Sequence, residues 1–161
     1  MTEIFFFHGL ESEPHGSKYQ HLVAAGYTVI SPDFRDLKLP EQRLARAEAE
    51  TAGRSDLIVV GSSMGGLVAA LLYNAHPERF KTYLLLAPAL HWAEAEAIDK
   101  VPATGKIIHG RNDELIAPET IEAFAHKFQL ALEVVEDNHR LGDSHQQMLA
   151  ALAQLVSDTA A

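Results

Sequence analysis

The chain of 161 residues contains no cysteine. That excludes a disulfide-braced scaffold, a thiol nucleophile and any thiolate metal site. Long apolar runs are also missing. The longest, residues 83–90, spans 8 residues and is interrupted by Pro88, whereas a membrane span needs about 20. Basic residues are scarce, with 13 Lys plus Arg against 22 Asp plus Glu and a formal charge of −9. A negative surface repels phosphate backbones, so neither nucleic acid nor an anionic membrane is expected as a partner. The N-terminus lacks a basic stretch followed by an apolar core, so no export signal is read there. What the chain does have is ordinary for a globular domain: 47% hydrophobic and 22% charged residues, enough apolar area to offset chain entropy. The expectation is one soluble, cytoplasmic domain over residues 1–161, with no internal repeat or linker.

Short apolar runs alternate with longer periodic ones. Residues 3–8 (EIFFFH), 27–34 (YTVISPDF), 57–60 (LIVV), 82–86, 105–109 (GKIIH) and 131–135 read as six strands. Residues 18–25, 41–52, 67–73 and 118–128 read as helices, with Gly26 and Gly53 as stops and Pro118 at a first helical position. A last helix is predicted from Ser144, with Gln147 completing a capping box. The charges along residues 41–52 read as a solvated face. Strands that are apolar on both sides and alternate with helices predict an α/β protein, a mostly parallel sheet with helices on both faces. Such sheets bind their ligands beyond the carboxyl ends of the strands.

Gly61-Ser62-Ser63-Met64-Gly65 fits G-x-S-x-G. By composition the pattern arises about once in twenty chains of this length, but here it follows an apolar strand and opens an apolar helix, as a nucleophile elbow requires. The flanking glycines leave room in a strained turn, and the helix N-terminus beneath Ser63 favours developing negative charge. A phosphate loop would end in G-K-[ST], which is absent.

A serine hydroxyl is a weak nucleophile and needs a base oriented by an acid. Around such an elbow the order along the chain is serine, acid, histidine. Asp113 lies just beyond the fifth strand, with Glu114 as its rival, and His139 just beyond the sixth. His145 is the rival base, but at a helix N-terminus its protonated form would be disfavoured. An oxyanion needs two preorganised N–H donors. Met64, following the nucleophile, supplies one; the loop after the first strand supplies the other, Leu10 first and Glu11 second. His8 reads as structural. His91 and Trp92, after the fourth strand, are candidate substrate contacts. Despite nine histidines, no zinc motif occurs; a cluster of His139, Asp143 and His145 is the one alternative. Neither metal nor cofactor is expected.

The pieces FFFHGLES, GYTVISPDF, LIVVGSSMGG, HGRNDELIAP and DNHRL, in this order over nearly the whole chain, resemble the α/β-hydrolase superfamily. The opening HGLESEPHGSK and the GSSMGG stretch look most like compact bacterial esterases of the YqiA type. The resemblance implies a three-layer α/β sandwich with strand order 2-1-3-4-5-6. It also implies a triad of Ser63, Asp113 and His139, and an oxyanion hole at Leu10 and Met64. The first two strands of the full family sheet are absent. Only residues 87–104 stand where a lid domain would be inserted. The implied activity is hydrolysis of small or exposed carboxylic esters or thioesters, with a small-molecule substrate as the partner. A non-catalytic binding protein, or an acyltransferase or lyase on the same fold, is the alternative.

Overall fold

The computed structural model describes residues 2–160. Eleven strands and α-helices follow one another along the described residues: β1 (Glu3–Phe7), α1 (Ser17–Ala24), β2 (Thr28–Ile30), α2 (Pro40–Glu50), β3 (Leu57–Ser62), α3 (Met64–Ala75), β4 (Phe80–Leu86), β5 (Lys106–Gly110), α4 (Pro118–Phe128), β6 (Ala131–Val135) and α5 (His145–Thr159). The strands form one sheet in the order β2-β1-β3-β4-β5-β6, with every pair parallel. Parallel pairing brings all the strand carboxyl ends to a single edge, where the connecting loops meet.

Period-two alternation divides the core in two. Phe5, Phe7, Val59, Tyr83, Leu85 and Ile107 pack on one face with Ala47 of α2, Leu67 of α3 and Ile121 of α4. Ile4, Phe6, Ile58, Val60, Leu84 and Ile108 pack on the other with Leu22 of α1 and Leu152 of α5. Both faces of the central strands are buried, which is why β1, β3 and β4 read as unbroken apolar runs.

Several boundaries differ from expectation. The second strand is three residues, not eight. Pro32 has no N–H for a ladder, and the Ser31 hydroxyl turns back to donate to the Pro14 carbonyl at 2.6 Å. Helix α3 starts at Met64, three residues earlier than predicted. Gly65 and Gly66 are helical here because the helix presses main chain against main chain: a Cβ on Gly65 would collide with the carbonyl of Phe7. The capping box at Ser144 does not form. Its hydroxyl donates instead to Asp137 at 2.7 Å, and α5 begins without a side-chain cap. The face of α2 is not wholly solvated either, since Arg43 is completely buried. Two 3-10 turns, Pro77–Arg79 and Ala93–Ala97, were not foreseen. The second is the only regular structure between β4 and β5, so that connection carries no lid domain. Among the described residues, no helix is long and apolar enough to cross a membrane.

Candidate active site

Ser63 stands between the last residue of β3 and the first of α3, with φ 55° and ψ −115°. A non-glycine residue there costs about 1–3 kcal/mol and persists only if its surroundings over-determine it. They do. Its N–H donates to the Leu86 carbonyl of β4 at 2.9 Å, and its own carbonyl accepts from Gly66 at 2.9 Å and Ala89 at 3.0 Å. The turn is bolted to the neighbouring strand on one side and to its helix on the other. Gly61 has no space for a side chain, as a Cβ would come within 2.5 Å of the Gly65 carbonyl oxygen.

Asp113 follows β5, and its side chain is wholly buried. Oδ1 accepts from the N–H groups of Leu115 and Ile116, both at 2.8 Å. Oδ2 lies 2.8 Å from His139 Nδ1. A carboxylate so surrounded accepts, so Nδ1 carries the proton and Nε2 is left as an acceptor. Ser63 Oγ is 2.9 Å from that Nε2. Hydroxyl, imidazole and carboxylate thus form one continuous hydrogen-bonded chain. Glu114 is exposed. His145 belongs to a different cluster: its ring stacks on His21 with centroids 3.7 Å apart, and its Nε2 lies 3.4 Å from Ser17 Oγ. Burial and the nearby charges of His21 and Lys18 hold its pKa below the usual histidine value.

Backbone contacts keep the loops that carry Asp113 and His139 together. Arg111 N–H donates to Val135 at 2.8 Å and Asn112 N–H to Asp137 at 3.0 Å. A side chain on Gly110 would strike the carbonyls of Asp137 and Asn138. The base loop is organised by the buried Asp137, whose carboxylate accepts from the N–H of Asn138 (2.8 Å), the N–H of Asp143 (2.9 Å) and the hydroxyl of Ser144 (2.7 Å). Burial alone would raise its pKa, but these hydrogen bonds outweigh it and hold it below the usual carboxylate value. Leu141, at φ 54°, plugs the loop into the core.

The loop after β1 approaches Ser63 from the other side. A Cβ on Gly9 would lie 3.3 Å from Ser63 Cβ, so Gly9 permits the close passage of this loop beside the serine. Among the described residues, neither the Leu10 nor the Met64 N–H has a protein acceptor outside regular elements. Met64, as the first residue of α3, has no intrahelical one. Glu11 lies one residue further along the same turn. His8 is buried with both ring nitrogens engaged: Nδ1–H donates to the Gly9 carbonyl at 2.8 Å, and Nε2 accepts from Phe34 N–H at 2.9 Å. Burial lowers its pKa. His91 is exposed, and Trp92 packs against the core cluster of α2 and α3. Their rings contact each other at 6.4 Å, and among the described residues no hydrogen bond links either to Ser63. No group of three potential ligands among the described residues is placed to hold a metal ion, so His139, Asp143 and His145 do not form one.

Three buried residues escaped the sequence reading. His109 sits with Nε2 3.4 Å from Asp113 Oδ2 and 3.0 Å from the Ile116 carbonyl. Asp137 and Arg43 each hold a loop. The signal for His109 was present, since it opens the segment containing Asp113. Arg43 and Asp137 look like surface charges until the tertiary contacts are known.

Residues 34–107 match the model of the serine aminopeptidase S33 family of hydrolases. Among solved structures, an α/β-superfamily protein from Xanthomonas campestris superposes with a TM-score of 0.81 at 26% identity, covering 98% of this chain and 99% of that one. The chain has the α/β-hydrolase fold. Other solved structures share the fold at lower identity. Est1E from Butyrivibrio proteoclasticus, solved with ferulic acid, has a TM-score of 0.77 at 15% identity over 99% and 89% of the two chains. Mouse α/β hydrolase domain-containing protein 10 has a TM-score of 0.73 at 15% identity over 98% and 90%. No curated protein sequence matches this chain significantly. The family match includes Ser63 but ends before Asp113 and His139, so their assignment leans on position in the fold and on the contacts above.

Proposed function

We infer that this α/β hydrolase is a serine esterase or thioesterase acting on small or exposed acyl groups. The observation that carries the reading is the unbroken hydrogen-bonded chain from Ser63 Oγ through His139 to Asp113. Ser63 attacks the acyl carbonyl while His139 Nε2 takes its proton. Asp113 keeps the imidazole in the required tautomer and stabilises its charged form. The tetrahedral oxyanion is held by the N–H groups of Leu10 and Met64. Collapse returns the proton from His139 to the leaving alkoxide or thiolate and leaves an acyl-Ser63 ester. Water, deprotonated by His139, then releases the acid and regenerates the hydroxyl.

The short connection between β4 and β5 provides little to enclose a long acyl chain or to exclude water. Ser63 and His139 are partly exposed, which suits short or protruding substrates. The ferulic acid bound to Est1E makes hydroxycinnamate esters a reasonable member of the substrate panel, and the name of the matching family adds amino-acid p-nitroanilides.

A fluorophosphonate probe is expected to label the wild type and not Ser63→Ala. On graded p-nitrophenyl esters and acyl thioesters, Ser63→Ala and His139→Ala should each lose about 10⁴-fold or more in kcat, while His145→Ala stays close to wild type. Ester hydrolysis surviving in Ser63→Ala, or a wild type inert to probe and panel alike, would overturn the proposal. Cleavage confined to the p-nitroanilides would overturn the ester preference.

A further inference from the structure

Arg43 is a buried cation without a carboxylate partner. It is completely inaccessible, and no acidic side chain forms an ion pair with it among the described residues. Burial lowers its pKa to about 10, so it remains charged at neutral pH. An unpaired buried charge is expensive, and a guanidinium is retained there only if its donors find acceptors. All the acceptors here are backbone carbonyls. Nε donates to Leu37 at 2.9 Å, Nη1 to His8 at 2.8 Å and Nη2 to Gly9 at 3.3 Å.

The two last-named carbonyls lie in the loop that leads to Leu10. The Gly9 carbonyl and the Leu10 N–H belong to the same planar peptide unit, and in a trans peptide they point in opposite directions. Among the described residues no peptide bond is cis. Fixing the carbonyl inward therefore fixes the N–H outward. The Gly9 oxygen is also gripped by His8 Nδ1–H at 2.8 Å and receives the Ser12 N–H at 3.4 Å. His8 cannot swing away, because its Nε2 is held by Phe34 N–H. The Phe34 ring in turn lies 5.3 Å beneath the guanidinium carbon.

We propose that Arg43 is a positioning residue for the oxyanion hole: with His8 as its neutral partner, it locks the Gly9–Leu10 peptide plane so that the Leu10 N–H faces the Ser63 carbonyl adduct. A guanidinium suits this task because its planar fork engages two successive carbonyls at once. Its positive charge also lies on the far side of the same peptide from the oxyanion and polarises that N–H. The proposal rests on the hydrolase reading above.

The test uses Arg43→Lys and Arg43→Met alongside wild type. Each is checked for a folded far-ultraviolet spectrum and titrated with fluorophosphonate to count active sites. An oxyanion donor is worth about 10²–10³ in kcat. Arg43→Met should lose about 10²-fold in kcat per active site, and Arg43→Lys, which keeps the charge but loses the fork, about 10-fold. KM should move by less than about twofold, because the interaction matters only once the oxyanion forms. Affinity for a trifluoromethyl ketone, which forms a hemiketal oxyanion on Ser63, should fall in step with kcat. If Arg43→Met does not fold, Arg43→Lys decides the matter, since it retains a buried cation able to satisfy one carbonyl. A folded Arg43→Lys with wild-type kcat, or with unchanged affinity for the ketone, overturns the positioning role while leaving the hydrolase reading intact. A wild type that neither reacts with the probe nor hydrolyses any ester sinks both.

Discussion

Two loops face each other across Ser63, and opposite charges organise them. The loop after β1 turns its carbonyls inward, where the buried cation Arg43 and the neutral His8 donate to them. The loop after β6 turns its N–H groups inward, where the buried anion Asp137 accepts them. A loop that is to offer a backbone N–H to an oxyanion, as proposed for this one, has to face its carbonyls toward the protein, and only a donor can satisfy them there. The loop that presents an imidazole leaves its N–H groups behind, and only an acceptor can satisfy those. In each case the sign of the buried charge follows from which backbone group is left over once the functional group points outward.

The strongest way to break this arrangement is to part the main chains that touch beneath each loop. Gly65→Ala drives a methyl into the carbonyl of Phe7, beneath the first loop, and Gly110→Ala drives one into the carbonyls of Asp137 and Asn138, beneath the second. In both cases the obstacle is backbone, which cannot rotate aside. Each variant should lose about 3 kcal/mol or more, read as a fall in the urea midpoint at constant slope, with the larger loss at Gly65. Wild-type stability in either would show that the loops are less tightly seated than the contacts imply.

Removing the buried anion should do less to the fold and more to one loop. Asp137→Ala strips the acceptor from two N–H groups and a hydroxyl. Leaving buried donors unsatisfied costs about 1–3 kcal/mol apiece, partly recovered because water can reach the exposed side of the loop. The expected result is a loss of about 2–4 kcal/mol in stability together with a drop in kcat as His139 loses its placement. Fluorophosphonate labelling should slow in parallel, since in the proposed mechanism the same imidazole activates Ser63. If kcat is unchanged while stability falls, Asp137 braces the fold and not the base.

The contrast also shows which features could be read before the coordinates. The alternation of apolar strands and helices, and with it a mostly parallel sheet, was legible because each central strand is buried on both faces and many boundaries carry glycine or proline; the strand order came from the resemblance to the α/β-hydrolase superfamily, and the sheet is wholly parallel. Ser63, Asp113 and His139 could be singled out because each lies within a few residues of the carboxyl end of a strand, and a parallel sheet gathers those positions at one edge. The structure brings their side chains within hydrogen-bonding distance. Arg43 was not legible. It sits in an Ala- and Glu-rich helix whose other charges are at least partly exposed, and nothing local distinguishes it from Arg46 one turn later. Asp137 was hidden in the same way among Glu136 and Asn138. Ser144 was misread for a related reason: a serine before a helix ordinarily caps it, but a buried carboxylate seven residues back in the chain competed successfully for the hydroxyl. Local pattern specifies where backbone groups will be left over, while tertiary contact decides which side chain satisfies them.

The two loops should also fail at different acidities, which gives the subtlest test of the comparison. His8 has its pKa lowered in the folded protein by burial, from an ordinary value of 6.5. Between those two values the unfolded chain binds a proton that the folded chain does not, so stability falls as the pH drops below about 6.5. Protonation would also set an N–H against the Phe34 N–H that Nε2 now accepts. Asp137 has its pKa held below the ordinary 3.8, so its contribution is complete above that value and is lost only as the pH falls beneath it. The urea midpoint of wild type should therefore decline in two stages. His8→Gln should flatten the first stage, which begins below about pH 6.5, and Asp137→Asn the second, below about pH 4. His145, with its pKa also lowered, contributes to the first stage, so His145→Gln is the necessary companion variant. If removing His8 leaves the slope of the first stage unchanged while removing His145 abolishes it, then acid acts on the stacked histidines near the base loop, and the oxyanion side is not the more acid-sensitive of the two.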